Sequence, residues 1–467
     1  MLFDVAIIGG GPGGYVCAIR AAQLGLKVLI VEKEHLGGTC LNKGCIPTKV
    51  LLQAAKVKHI VDRASEFGIE STVTLANIDK IIKRSENIVF GLNNGVTGLL
   101  AKYKIVVIKG TATFKDKETL LVSNAGQIEE IRAKNIVIAT GATPKLIPGI
   151  ADSMLESNLI WTSKEAISPK FFPKKLLIVG SGAIGIELAS LYNSLGSNVT
   201  VVEIASRILI QEDKEIADTA LKLFTKYGIN IKVNTKVKNF VDKSGKVAVE
   251  FTTNDNETTS EIFDVVIFAI GVTPNTANLN LENVGVKTNV NGTIEVFDYQ
   301  ETSQNGIYAI GDVVKTPWLA HKASREGIIV AEKIAGCTEV IPINLDSVPS
   351  CIYSFPQIAS IGITEEKAKK IGTGIKIGKS YFKGNGKALA TGEYDGFVKV
   401  IFDEKTGELL GAHMIGYEVT ELLAIFSVAI TGELTEKELM SAIFPHPTMS
   451  ECLQEAVFDA FGKAIHQ

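Results

Sequence analysis

The segment "GGTCLNKGCIPTK" (37–49) places Cys40 and Cys45 five positions apart in a chain of 467 residues with only six cysteines. Two thiols so close could bind zinc, form a static disulfide, lie unrelated in a core, or open and close as a redox couple. Structural zinc sites need four ligands, commonly two cysteine pairs or cysteine with histidine. Only His35 is near, and there is no second cysteine pair. Cysteines this sparse do not make a disulfide scaffold, and a reducing, cytoplasmic compartment is the default. The surroundings favour a redox couple. Cys45 opens a helical pattern with Pro47 in its first turn, and Lys49 follows about one turn on. A helix N-terminus and a nearby cation both stabilise a thiolate.

A second chemical feature stands far downstream, in "FPHPTMSE" (444–451). A lone histidine near a C-terminus is usually structural, but His446 lies between Pro445 and Pro447 just before a helix. Thr435-x-x-Glu438 and Thr448-x-x-Glu451 read as capping boxes, so Glu451 has a bland role available as well.

Two stretches share one plan: "DVAIIGGGPGGYVCAIRAAQLGLKVLIVEK" (4–33) and "KLLIVGSGAIGIELASLYNSLGSNVTVVEI" (175–204). Each is a strand, a Gly-rich turn, a helix, Leu-Gly, a second strand and a glutamate. Gly9, Gly11 and Gly14 match Gly180, Gly182 and Gly185, and twenty-three residues separate the first glycine from Glu32 or Glu203. In a dinucleotide site the first glycine permits the turn, the second admits a pyrophosphate, and the third lets helix pack on strand. The helix N-terminus then faces the phosphates, and the glutamate accepts from ribose hydroxyls. Two such folds imply two dinucleotides, FAD and a nicotinamide. Glu203 would repel a 2′-phosphate and the next arginine is Arg207, which favours NAD over NADP.

The elements that must position these residues read as parallel α/β through the first two thirds, where Val/Ile-rich strands alternate with helical patterns. "IVIATGATPKLIPGI" (136–150) and "VVIFAIGVTPN" (265–275) end strands in Gly/Pro connections, and "GIYAIGDVV" (306–314) ends in Gly311-Asp312. After about 340 the pattern becomes α+β, with a hairpin in 396–416 turning near Thr406-Gly407. "LLAIFSVAI" (422–430) reads as a buried core helix, and no apolar run reaches the length of a membrane span. "MLFDVAIIGGG" goes directly into a strand, which gives no targeting segment. A net charge of −3 offers no basic excess for a general nucleic-acid surface.

With Ala139-Thr140-Gly141, Gly311-Asp312 and "FPHPTMSE", the thiol segment and the two Gly-rich turns closely resemble the class I flavoprotein disulfide reductases nearly end to end. The resemblance is strongest to the members that oxidise protein-bound dihydrolipoamide with NAD⁺. It implies a FAD-binding domain beginning at 1–145 and carrying the disulfide. An NAD-binding domain would occupy 146–271, a central FAD-binding part 272–340, and a C-terminal α+β dimerisation domain 341–467. Cys45 would face the flavin, Cys40 would exchange with substrate sulfur, and Lys49 would lie near the flavin and pair with Glu187. His446 and Glu451 would form an acid/base pair supplied by the partner subunit of a homodimer. FAD contacts would come from Glu32, Lys33, Gly38, Thr39, Lys49, Ala112, Thr140, Gly141, Asp312 and Ala320, besides the first turn. NAD contacts would come from Glu203, Val237 and Gly271, besides the second. No metal is implied. The partner would be the lipoyl domain of an acyltransferase in a 2-oxo-acid dehydrogenase complex, or the glycine cleavage H protein.

A glutathione reductase-like or other NAD(P)H-dependent disulfide reductase is the nearest alternative. Glutathione reductase usually carries Tyr where Ala183 stands, Ala where Gly185 stands, and basic residues after the second strand of its NADP fold. Mercuric reductase has a C-terminal cysteine pair, where here Cys452 stands alone. Nor does "GKAIHQ" (462–467) carry the redox tail of a high-molecular-weight thioredoxin reductase. One departure from many relatives is Gly271-Val272-Thr273-Pro274-Asn275, where they read Gly-Arg-x-Pro-Asn.

Overall fold

The computed structural model describes residues 2–466 apart from 71, 73, 74, 148, 149, 151, 256 and 373. Pro148 and Gly149 of the first Gly/Pro connection therefore lie outside the described residues. The chain divides into two compact units. One comprises Met1–Leu51, Asn77–Lys145 and Gly271–Asn344; the other comprises Leu52–Ala76, Leu146–Ile270 and Leu345–Gln467.

In the first unit the strand Leu2–Ile8 is flanked in parallel by Val28–Glu32 and Gln127–Ile138, with Val5 opposite Val28 and Asn135. Val106–Lys109 and Ile307–Ala309 extend this parallel sheet on its two sides. Phe3, Ala6 and Ile8 enter one core, and Val5 and Ile7 enter another on the opposite face. Burial on both faces is why "DVAII" is an unbroken apolar run. The helices Pro12–Gln23 and Ala320–Ile334 pack closely, and a Cβ on Gly327 would come within 2.5 Å of the Gly13 carbonyl.

The sheet is not purely parallel, contrary to the sequence reading. Thr111–Asp116 and Thr119–Asn124 pair antiparallel with each other, and the latter with the first half of Gln127–Ile138. That half, "QIEEIR", is largely exposed and polar, so its pattern resembles a loop. The amphipathic helix Ile78–Lys102 has no apolar run to reveal it either; Asn77 caps it by accepting from the Lys80 N–H at 3.0 Å.

The second unit repeats the plan. Lys175–Val179 lies between Asn198–Val202 and Val265–Phe268, all parallel, with Asn230–Lys232 and Ile160–Trp161 outside them. A three-stranded antiparallel insertion, Thr235–Asp242, Val247–Thr253 and Thr258–Phe263, occupies the corresponding place. A five-stranded antiparallel sheet completes the unit, with the expected hairpin between Phe397–Asp403 and Leu409–Gly416. Val398, Val400 and Phe402 pack one of its faces on the helices Val419–Thr431 and Glu451–Ala460. The helix Val419–Thr431 is not wholly buried as "LLAIFSVAI" suggested: Leu423 and Phe426 enter the core, whereas Val428 is 69% exposed. No helix among the described residues is long and apolar enough to cross a membrane.

Candidate redox site

Cys40 and Cys45 are joined as a disulfide, with Cα atoms 4.6 Å apart. Of the four readings open to the pair, the zinc and core-thiol ones fall away. Cys40 lies in a short helix, Gly38–Lys43, that sequence periodicity did not reveal. Cys45 opens the helix Cys45–Asp62, as expected, with Lys49 in its second turn. Both cysteines are half-buried, within reach of a reductant. Of the other four thiols, Cys337 is exposed and Cys351 half-buried, and the remaining two are buried. Burial pushes Cys17 up to about 12 and Cys452 up to about 11, so both stay protonated and inert.

The thiol segment is tied to the first Gly-rich turn. Gly37 N–H donates to the Gly10 carbonyl at 2.8 Å. Gly38, with φ +56°, leaves only 2.7 Å between an added Cβ and the Gly11 Cα. A side chain there would push the dithiol segment off the turn. Asn42, which sequence reasoning passed over, bridges the Leu36 and Gly38 carbonyls at 2.9 and 2.8 Å and accepts from Asn93 Nδ2 at 2.7 Å. Its amide fixes the Cys40 helix from both sides.

The two Gly-rich turns are built alike. Gly9 and Gly180 have φ +108° and +102°, which a side chain would disfavour. A Cβ on Gly14 would collide with the Gly9 carbonyl, and one on Gly185 with the Gly180 carbonyl. A Cβ on Gly11 would meet no protein atom closer than 3.9 Å, and one on Gly182 none within 4 Å. Their lack of side chains therefore serves no internal packing, and fits a cradle for a pyrophosphate above each helix start. Glu32 accepts from Gly10 N–H and Glu34 N–H, both at 2.7 Å. Glu203 accepts from Ser181 N–H at 3.0 Å and Ala205 N–H at 2.9 Å, and from the Ser181 hydroxyl at 2.7 Å. In both copies the carboxylate ties the second strand to the turn.

Several other expected cofactor residues gather in the first unit. Asp312 lies in the turn Gly311–Val313, and Ala320 begins the helix Ala320–Ile334. Burial pushes the Asp312 carboxyl up, with Lys322 opposing. Glu326 accepts from Gly311 N–H at 2.8 Å and pairs with the equally buried Lys322 at 2.6 Å. This ion pair behind Asp312 has no sequence signal beyond i,i+4 spacing. Thr140 and Gly141 bond to Asn275: the Thr140 hydroxyl donates to its carbonyl at 2.8 Å, and its N–H donates to Gly141 O at 2.9 Å. Val272, at the departure from the usual Arg, pairs in a two-stranded ribbon with Pro144, so the backbone there is held by strand pairing. Gly271 has φ +107° and accepts from Lys145 N–H. Lys33 and Thr39 are exposed, whereas Ala112 is buried in the strand Thr111–Asp116.

In the second unit, Val237 lies in the strand Thr235–Asp242. Glu187 is not on a solvated helix face. It is 7% exposed and accepts from Tyr353 N–H at 2.9 Å. His446 Nδ1 donates to Glu451 Oε1 at 2.8 Å, and Glu451 Oε2 accepts from Thr448 N–H at 2.8 Å. Burial raises the Glu451 carboxyl, but the Thr448 N–H and His446 outweigh it and hold it below the ordinary glutamate range. The imidazole itself is 79% exposed. The capping box expected here is only half made. Thr448 Oγ1 turns to the Pro445 carbonyl at 2.7 Å, and the helix starts at Glu451 with Ser450 as its N-cap. The Thr435–Glu438 box forms in full.

Two dinucleotide turns, one of them pinned to a disulfide at a helix start, define a flavin- and pyridine-nucleotide-dependent disulfide oxidoreductase. Residues 3–327 match the family model described as pyridine nucleotide-disulphide oxidoreductase, and residues 348–457 match the dimerisation domain of that family. The chain belongs to this family. It is 47% identical to dihydrolipoyl dehydrogenase of Zymomonas mobilis over 99% of both chains, and 42% identical to that of Bacillus subtilis over 99% of both. Among solved structures it is similar to the Cu(II) complex of the HOCl-induced flavoprotein disulfide reductase RclA from Escherichia coli. That likeness has TM-score 0.88 and 29% identity, and covers 98% of this chain and 99% of the other. FAD and NAD(H) are the cofactors of this class, and the two glycine cradles fit them.

Proposed function

We propose that the protein oxidises protein-bound dihydrolipoyl groups to lipoyl groups and reduces NAD⁺ to NADH. The observation that carries this reading is the Cys40–Cys45 disulfide at the start of a helix, anchored by Gly37 and Gly38 to a dinucleotide turn. The full-length likeness to dihydrolipoyl dehydrogenases supports the choice of substrate.

His446 Nε2 takes a proton from one substrate thiol, while Glu451 fixes the ring through Nδ1 and stabilises the imidazolium. The substrate thiolate attacks Cys40 Sγ, and the Cys40–Cys45 bond breaks with Cys45 leaving as thiolate. The helix N-terminus stabilises that leaving group. The second substrate sulfur, losing its proton to solvent, then attacks the first, forming the lipoyl disulfide and releasing Cys40. The flavin, when bound, supplies a two-electron relay from the dithiol to NAD⁺. Re-forming the Cys40–Cys45 bond closes the cycle.

Glu32, Lys33, Gly38, Thr39, Ala112, Thr140, Gly141, Asp312 and Ala320 would hold FAD with the first turn. Glu203, Val237 and Gly271 would hold NAD with the second. Lys49 and Glu187 would act beside the flavin. The division into segments 1–145, 146–271, 272–340 and 341–467 follows from the same assignment. The dimerisation-domain match supports a homodimer. In that dimer His446 and Glu451 of one subunit would complete the site of the other, which suits the exposure of the imidazole. The lipoyl group would arrive on an acyltransferase lipoyl domain or on the glycine cleavage H protein, in the cytoplasm.

The test is anaerobic reduction by NADH of the wild type and of Cys45→Ser. The wild type should develop long-wavelength absorption from a Cys45 thiolate beside the flavin. If the wild type lacks this band, or if Cys45→Ser turns over dihydrolipoamide, the scheme fails.

A further inference from the structure

The loop that follows Glu203 contains a single cation, Arg207, among residues 203–213. Both ends of its first part rest on Ser181 of the second Gly-rich turn. Glu203 accepts from the Ser181 N–H and hydroxyl, and Leu209 N–H donates to the Ser181 carbonyl at 3.2 Å. Arg207 therefore lies on the stretch of chain that frames the adenosine ribose position, four residues past the glutamate expected to read the 2′-hydroxyl.

Arg207 does not stand free there. Its two terminal nitrogens donate to Glu366 Oε2, each at 3.1 Å, and Nη2 also reaches the Ile210 carbonyl at 3.3 Å. Glu366 lies in the helix Glu365–Ile371 of the C-terminal part of the same unit. Its neighbour Glu365 is bound instead to Lys399 and Lys369. Glu366 is thus dedicated to the arginine.

We infer that Glu366 is a specificity-determining residue: by holding Arg207, it withholds from a ribose 2′-phosphate the one cation of the loop. The inference rests on the reading of the second turn as the NAD site. Rejection of NADP⁺ then has two parts. Glu203 repels the phosphate directly, and Glu366 neutralises the residue that would otherwise attract it. An arginine released from its carboxylate is well suited to a phosphate, with charge-assisted bonds in fork geometry.

The test uses Glu366→Gln, isosteric and at a partly exposed position, with Arg207→Ala/Glu366→Gln as control. The probes are 2′,5′-ADP binding by calorimetry and steady-state kinetics with NAD⁺ and NADP⁺. Glu366→Gln should bind 2′,5′-ADP about fivefold more tightly and raise kcat/KM for NADP⁺ by a similar factor, as expected for one freed charge near a surface. NAD⁺ kinetics should stay within about twofold. The double variant should lose the gain. An unchanged 2′,5′-ADP affinity in Glu366→Gln, or a gain that persists without Arg207, overturns the inference while the NAD reading stands. A wild type that prefers NADP⁺ overturns both.

Discussion

Glu451 divides its carboxylate between His446 Nδ1 and the Thr448 N–H, at 2.8 Å each, so the residue that orients the imidazole is itself held by the backbone. The arrangement leaves Nε2 as the working nitrogen. Replacing Glu451 by Gln keeps the shape but removes the charge that stabilises the imidazolium. The expected outcome is a fall in kcat for dihydrolipoamide oxidation of about 10²-fold, with flavin content unchanged. Flavin absorbance and steady-state rates on the same preparation check it.

The thiol inventory gives a second prediction. Cys17 and Cys452 are buried with raised values, whereas Cys40 and Cys45 are half-buried and disulfide-bonded. Titration with an aromatic disulfide reagent in the folded state should gain two reactive thiols on anaerobic reduction. Cys40→Ser and Cys45→Ser should each abolish that gain. A gain of zero in the wild type would contradict the assignment.

The third glycines separate the two dinucleotide sites. A Cβ at Gly14 or Gly185 strikes the carbonyl of the first glycine of its own turn, and such overpacking costs typically about 1–3 kcal/mol. Gly14→Ala should purify with reduced flavin content. Gly185→Ala should keep its flavin and show a KM for NAD⁺ raised about tenfold. Flavin-to-protein absorbance ratios and NAD⁺ titrations distinguish them. The reverse pattern would exchange the roles of the two turns.

A fourth prediction concerns pH. His413 and Lys399 are cross-strand partners, both buried, and Lys399 pairs with Asp213 at 2.9 Å. Burial holds the His413 imidazole below the ordinary histidine value, while its Nε2 donates to the Ile363 carbonyl at 3.0 Å. Below about pH 6.5 the unfolded chain binds a proton at this residue that the folded chain refuses. The stability it contributes is complete above that pH and is lost as pH falls through the depressed folded value. The slope is at most about 1.4 kcal/mol per pH unit. Glu212, also buried and pushed up by burial, acts in the opposite sense. The difference between wild type and His413→Gln therefore isolates the histidine. Thermal melts from pH 7.5 to 5 should show the wild type losing stability faster than the variant.

Much of the site was legible because its chemistry demands particular residues at fixed spacing. Gly9, Gly14, Gly180 and Gly185 are required by backbone geometry, and that requirement is visible in one sequence. Cys45 at a helix start followed from Pro47 and the apolar pattern beyond it. What escaped notice depends on distant partners. The Asn42–Asn93 bond and the hold of Glu366 on Arg207 join polar residues far apart in sequence, and the i,i+4 spacing of Lys322 and Glu326 cannot show that the pair is buried. Glu187 was legible only through the family resemblance, because helical periodicity cannot show that the Tyr353 N–H donates to it. The antiparallel insertions were missed because strands exposed on one face, such as "QIEEIR", lack an apolar run. Thr448 matched a capping pattern, but its hydroxyl found a nearer acceptor at Pro445.

The Cys40–Cys45 disulfide takes its electrons from a dihydrolipoyl group and passes them to NAD⁺. The most direct measurement compares kcat/KM for dihydrolipoamide with NAD⁺ or NADP⁺, and for oxidised glutathione with NADH or NADPH, on one preparation of holoenzyme. Dihydrolipoamide with NAD⁺ should exceed every other pair by at least about 10²-fold, the discrimination expected of differential transition-state binding. Faster turnover of glutathione with NADPH would contradict it.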